Sequence, residues 1–144
     1  MSQDLFSPEQ IEQLSREMDT RLNQLAAGQA ETIGKNLFGG SKPLPMPQKE
    51  VAEVEKSVTE AGQDVDAFWK RFQKAARQDI CTEGGVLNTQ WKQWGDLSNQ
   101  KVIKQLGAIL VAMGFSGNVL QVLALACGVI VVHIGVKAYC METV

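Results

Sequence analysis

The chain predicts an all-α fold: an amphipathic helical hairpin or coiled coil, followed by a C-terminal hydrophobic helical hairpin of transmembrane character. Three observations carry this expectation. Gln105–Val136 holds no Asp, Glu, Lys or Arg over 32 consecutive residues. Of the 30 charged residues, 26 lie before residue 100. Ahead of the uncharged run, apolar residues recur every three or four positions, which is the helical period.

The segments divide as 1–37, 38–47, 48–80, 81–97 and 98–140. The first is an amphipathic helix with a marked start. Ser7, Pro8 and Gln10 read as N-cap, N1 proline and the N3 partner of a capping box, with Phe6 and Ile11 spaced for a hydrophobic staple. Ile11, Leu14, Met18, Leu22 and Leu25 then form a narrow apolar stripe, and Ile33 and Leu37 extend it beyond Gly28. Residues 38–47 (FGGSKPLPMP) carry two glycines and three prolines and form a linker.

Residues 48–80 predict one long helix. Val51, Val54, Val58, Ala61, Val65, Phe68, Phe72 and Ala75 step by three and four in a heptad pattern. The expected arrangement is an antiparallel hairpin with the first helix; a separate coiled coil is the alternative. The flanking Ser57, Gly62, Trp69 and Ala76 offer little charge pairing, which argues against a parallel dimer. Gly62 marks a kink or a close approach. In segment 81–97, Trp91 and Trp94 share one helical face just before the uncharged run. This is where an interfacial aromatic belt is expected.

The uncharged run divides at Gly114–Asn118. Its second half, Val119–Tyr139, spans roughly 30 Å as a helix, the thickness of a bilayer core. Lys101 and Lys104 precede the hairpin and Lys137 follows it, while the turn is uncharged. The positive-inside rule therefore places both termini in the cytoplasm. The N-terminus has no apolar signal-peptide region. Gly107, Ala108, Ala112, Gly114, Ala124, Gly128 and Gly135 recur at spacings that let membrane helices pack closely. Gln121 and His133 are the strongly polar side chains of the second helix, so they are expected to face another helix or a pore. A helix apolar all round also suits the centre of a helical bundle, with the amphipathic helices wrapped around it. A switching protein would use both states.

The composition narrows the function classes. A net charge of −2 without a basic patch gives no reason to expect a nucleic-acid partner. One histidine and no Ser/His/Asp or Cys/His constellation leave no catalytic site, no metal site and no cofactor site to expect. Cys81, Cys127 and Cys140 are odd in number and lack a C-x-x-C pair, which reads as reduced cysteines in a reducing compartment. The expectation is a membrane-acting protein, a holin-like or pore-forming effector that oligomerises through its hairpin. The lipid bilayer, further copies of the chain and a cytoplasmic protein docking on residues 8–79 are its expected partners. The competing expectation is a non-catalytic, membrane-anchored scaffold or accessory subunit.

Overall fold

A computed structural model describes residues 6–26, 31–33, 45–94, 98–134 and 140. The described residues form six helices: α1 (Pro8–Ala26), α2 (Gln48–Glu60), α3 (Val65–Ile80), α4 (Val86–Trp94), α5 (Asn99–Ala112) and α6 (Gly117–Ile134). Two three-residue strands, β1 (Glu31–Ile33) and β2 (Pro45–Pro47), pair antiparallel with Thr32 opposite Met46. The all-α class is as expected; the small strand pair is an addition. β1 stands where the sequence suggested that the first helix continues and β2 at the end of the expected linker; Leu37 and most of the linker lie outside the described residues.

The start of α1 follows the capping-box expectation. The Ser7 amide donates to Gln10 Oε1 at 2.8 Å, and the Gln10 amide donates to Ser7 Oγ at 3.1 Å. Two orphan donors of the first turn are thereby satisfied reciprocally. Phe6, Ile11 and Met18 are buried, and Leu14, Leu22 and Leu25 pack partly buried against the same core.

The single long helix over 48–80 is corrected to two. Glu60 ends α2, and Gly62 takes φ +79, a left-handed value open to glycine. The Gly62 amide donates to the Thr59 carbonyl and the Gln63 amide to the Val58 carbonyl, the paired bonds of a Schellman termination. Asp64 then caps α3, accepting from the Ala67 amide at 2.8 Å. The break lets the two halves serve different faces. Val54 and Val58 are buried where α2 packs on α6. On α3 the buried set is Phe68, Trp69, Phe72, Ala76 and Ile80, and α3 packs on α4 and α5. Trp69 and Ala76, expected on the flanks of a heptad stripe, are therefore core residues.

Helix α6 is the axis of the bundle. It packs on α1, α2, α5 and β2. The expected pairing of the first and second helices becomes two helices laid against a common third, tied to each other through Arg21.

Candidate functional site

Among the described residues, α6 is the one helix long and apolar enough to cross a membrane. It contains no Asp, Glu, Lys or Arg, and 61% of it is buried inside the bundle. Leu120, Leu123 to Val131 and Ile134 are all buried. The expected two-span hairpin is present only as a helix pair of unequal character. α5 has 14 residues, about 21 Å at 1.5 Å per residue, which is short of a bilayer core. It is amphipathic: Val102, Ile103, Leu106, Gly107 and Leu110 face inward, while Lys101, Lys104, Ala108, Val111 and Ala112 are exposed.

The turn between them is built by Gly114, at φ +102. The Gly114 amide donates to the Val111 carbonyl and the Phe115 amide to the Leu110 carbonyl, a second Schellman termination. Phe115 is buried and meets Phe68 edge to face at 5.7 Å. Gln63 Nε2 and Arg71 Nη2 each donate to the Met113 carbonyl, both at 3.4 Å. These are long bonds, so the polar ties at the tip of the helix pair are light.

The small residues fall into distinct environments. A Cβ at Gly128 would stand 3.4 Å from Met18 Sδ and 3.5 Å from Val102 Cγ1, so this notch receives α1 and α5 of the same chain. Gly107 and Ala124 are buried, Ala108 and Ala112 face outward, and Gly114 lies in the turn. Gly135 and Lys137 lie outside the described residues. Gln121 is partly exposed and borders a groove with Gln10, Gln13, Arg16, Glu17 and Thr20 of α1. His133 is partly exposed in the last turn of α6, where the negative end of the helix dipole favours a basic side chain.

The tryptophan segment docks on protein. Trp91 Nε1 donates to the Ile80 carbonyl at 2.7 Å, and the same oxygen accepts from the buried Asn88 Nδ2 at 2.9 Å. Lys92 Nζ lies 4.7 Å from the centroid of the Trp91 ring. Trp94 ends α4; its side chain lies outside the described residues. Asp79 completes this joint, accepting from the Val86 and Leu87 amides at 3.0 Å each and from Gln105 Nε2 at 3.1 Å. The end of α3, the start of α4 and the side of α5 are thereby fixed together.

Two features escaped the sequence reading. Arg21 of α1, its side chain only 12% exposed, pairs with Glu50 at 3.3 Å and with Glu53, and lies 3.6 Å from Glu17. Burial pulls the guanidinium pKa down, but the hydrogen bond and charge of Glu53 and the charges of Glu50 and Glu17 outweigh it, leaving it raised. Nothing local in the sequence signals a pairing 29 residues apart. The second feature is a disulfide between Cys81 and Cys140, with Cα atoms 5.5 Å apart. It corrects the expectation of three reduced cysteines. The signal was present: Cys127 sits in the apolar run and is fully buried and free, which leaves one pair.

Among the described residues no group of three His, Cys, Asp or Glu side chains is placed to hold a metal ion. Comparison with protein-family models, curated proteins and solved structures finds no match to this chain.

Proposed function

We propose that the chain is a membrane-acting helical protein that keeps its apolar helix inside a bundle and works by presenting the α5–α6 pair to a lipid bilayer. The observation that carries this reading is α6 itself: long and apolar enough to span a bilayer, uncharged, and stored beneath α1, α2 and α5. An apolar helix that leaves its protein core loses its burial unless it enters hydrocarbon, so bilayer and bundle are competing solvents for the same surface.

In this reading α1 and α2 form a removable sheath. Their outer faces are charged, and the described ion pairs of the molecule lie within them and across their contact. Lys101 and Lys104, exposed on the first turns of α5, stay at the headgroup level while α6 enters. Withdrawal of Met18 opens the Gly128 notch to a helix of another copy. Ala124 and Gly128 stand one helical turn apart on α6, and a small-residue pair at that spacing favours close helix association. The outward Ala108 and Ala112 of α5 extend the packing face. Gln121, freed from its groove beside α1, and His133 turn toward neighbouring helices. The assembly that results perforates the bilayer.

The test is flotation of the full chain with liposomes, paired with release of an entrapped dye. Flotation with dye release supports the perforating reading. Flotation without release supports the anchored scaffold, in which the sheath helices recruit a partner. A chain that stays at the bottom of the gradient under all conditions that open the bundle removes both.

A further inference from the structure

We propose that the Cys81–Cys140 disulfide is a thiol-exchange site that latches α6 into the bundle and is opened by a dithiol reductant. The chemistry stands apart from the membrane reading; its consequence for bilayers rests on that reading.

Position comes first. Cys81 caps the C-terminus of α3, and Cys140 follows α6, 59 residues later. The bond joins Cys140, six residues beyond the end of α6, to the joint where Asp79 and the Ile80 carbonyl hold α3, α4 and α5 together. The opposite end of the α5–α6 pair is tied by the two 3.4 Å bonds to the Met113 carbonyl and by the Phe115 contact with Phe68. One end is thus tethered covalently through the chain to Cys140, and the other is held by light polar ties and packing. While the disulfide stands, the C-terminal end of α6 stays tethered to α3, within the roughly 20 Å that the six residues from Ile134 to Cys140 can span at most. Once it is cut, only non-covalent contacts retain the helix.

Access comes second. Cys81 is partly exposed and borders two surface grooves. One groove is lined by Lys70, Lys74 and Arg77 of α3, the other by Glu83 and Lys92. Lys70, Lys74 and Arg77 make the approach to Cys81 along that groove positive, which attracts a thiolate nucleophile. Cys127 is fully buried and takes no part in exchange.

The step balances as a two-electron transfer. A thiolate of the reductant attacks Sγ of Cys81, forms a mixed disulfide and expels the Cys140 thiolate, which takes up a proton. The second thiol of the reductant, as thiolate, attacks its own sulfur in the mixed disulfide and releases Cys81, which is protonated in turn. The protein gains two electrons and two protons, and the dithiol leaves as a disulfide.

Cys127 is a built-in reporter of the outcome. A water-soluble maleimide is added to the full chain without lipid, before and after treatment with dithiothreitol and its removal, with amide exchange followed over 65–80. The expected result is no labelling of the oxidised chain and labelling of all three cysteines after reduction. Cys127 then reacts at least 100-fold faster than before, and its gain exceeds the acceleration of amide exchange over 65–80 that the general loss of stability brings. The Cys81→Ser/Cys140→Ser chain labels at Cys127 without reductant. Labelling of Cys81 and Cys140 alone, with Cys127 still shielded, overturns the proposal. So does a disulfide that resists dithiothreitol in the folded chain, or an acceleration of exchange over 65–80 equal to the gain at Cys127, which makes the bond a staple of the whole fold. If Cys127 is unmasked and liposomes still fail to bind the chain, the latch stands and the membrane reading fails.

Discussion

Gly85 has no room for a side chain. A Cβ there would overlap the Asp79 carbonyl oxygen, which is backbone and cannot swing aside. Gly85→Ala forces the α3–α4 joint apart and is expected to cost about 3 kcal/mol, at the upper end for overpacking; urea denaturation followed by circular dichroism measures it. At Arg21 the risk is electrostatic. Its loss strands Glu50, whose side chain is 4% exposed, and Arg21→Ala is expected to cost about 2–3 kcal/mol, below the value for a fully buried pair because Glu53 is 31% exposed. The raised pKa of Arg21 sets the sign of any pH effect. Its contribution is complete below the ordinary arginine value and is lost only as pH rises through the higher folded value. The difference between native and Arg21→Ala chains that comes from guanidinium ionisation is therefore flat through neutral pH. The capping pair Ser7 and Gln10 was legible because it is written within four residues. Arg21 was not, because its partners are supplied by a helix beyond the linker.

The helices themselves show where periodicity informs and where it misleads. Apolar spacing identified helical segments throughout 48–80, yet it could not place the change of face at 61–64. The heptad pattern runs through Gly62 almost unbroken, while α2 must face α6 and α3 must face α4 and α5. The local signals for the break were glycine followed two positions later by a capping aspartate, each common enough to be read as a kink. Asp64→Ala is expected to cost about 1 kcal/mol through loss of the α3 cap. Gly62→Ala is expected to cost about 1–2 kcal/mol through the left-handed backbone that alanine disfavours. Both are read as shifts of the urea midpoint at unchanged slope; a changed slope signals an altered unfolded or native ensemble instead.

For the molecule as a whole, the sequence located the apolar helix pair but could not choose its solvent. A helix apolar on every face is suited equally to a bundle centre and to a bilayer, because both surround it with hydrocarbon. The described fold places it in the bundle, with α5 too short and too amphipathic to match it as a second span. The disulfide also stabilises the fold as a whole. By chain entropy, closing a loop over 59 residues restricts the unfolded chain by about 4 kcal/mol. Reduction is therefore expected to lower the unfolding free energy by up to about 4 kcal/mol, read from urea curves of oxidised and reduced chains. The most direct test of the central claim, that α6 exchanges the bundle for a bilayer, is carbene photolabelling from within the acyl region of liposomes. The sample is the reduced Arg21→Ala chain, in which the covalent tie and the sheath tie are both gone, and labelled peptides are mapped by mass spectrometry. The account predicts label concentrated in 117–134 and sparse over 8–26 and 48–60. Label absent from 117–134, or spread evenly over the chain, contradicts it.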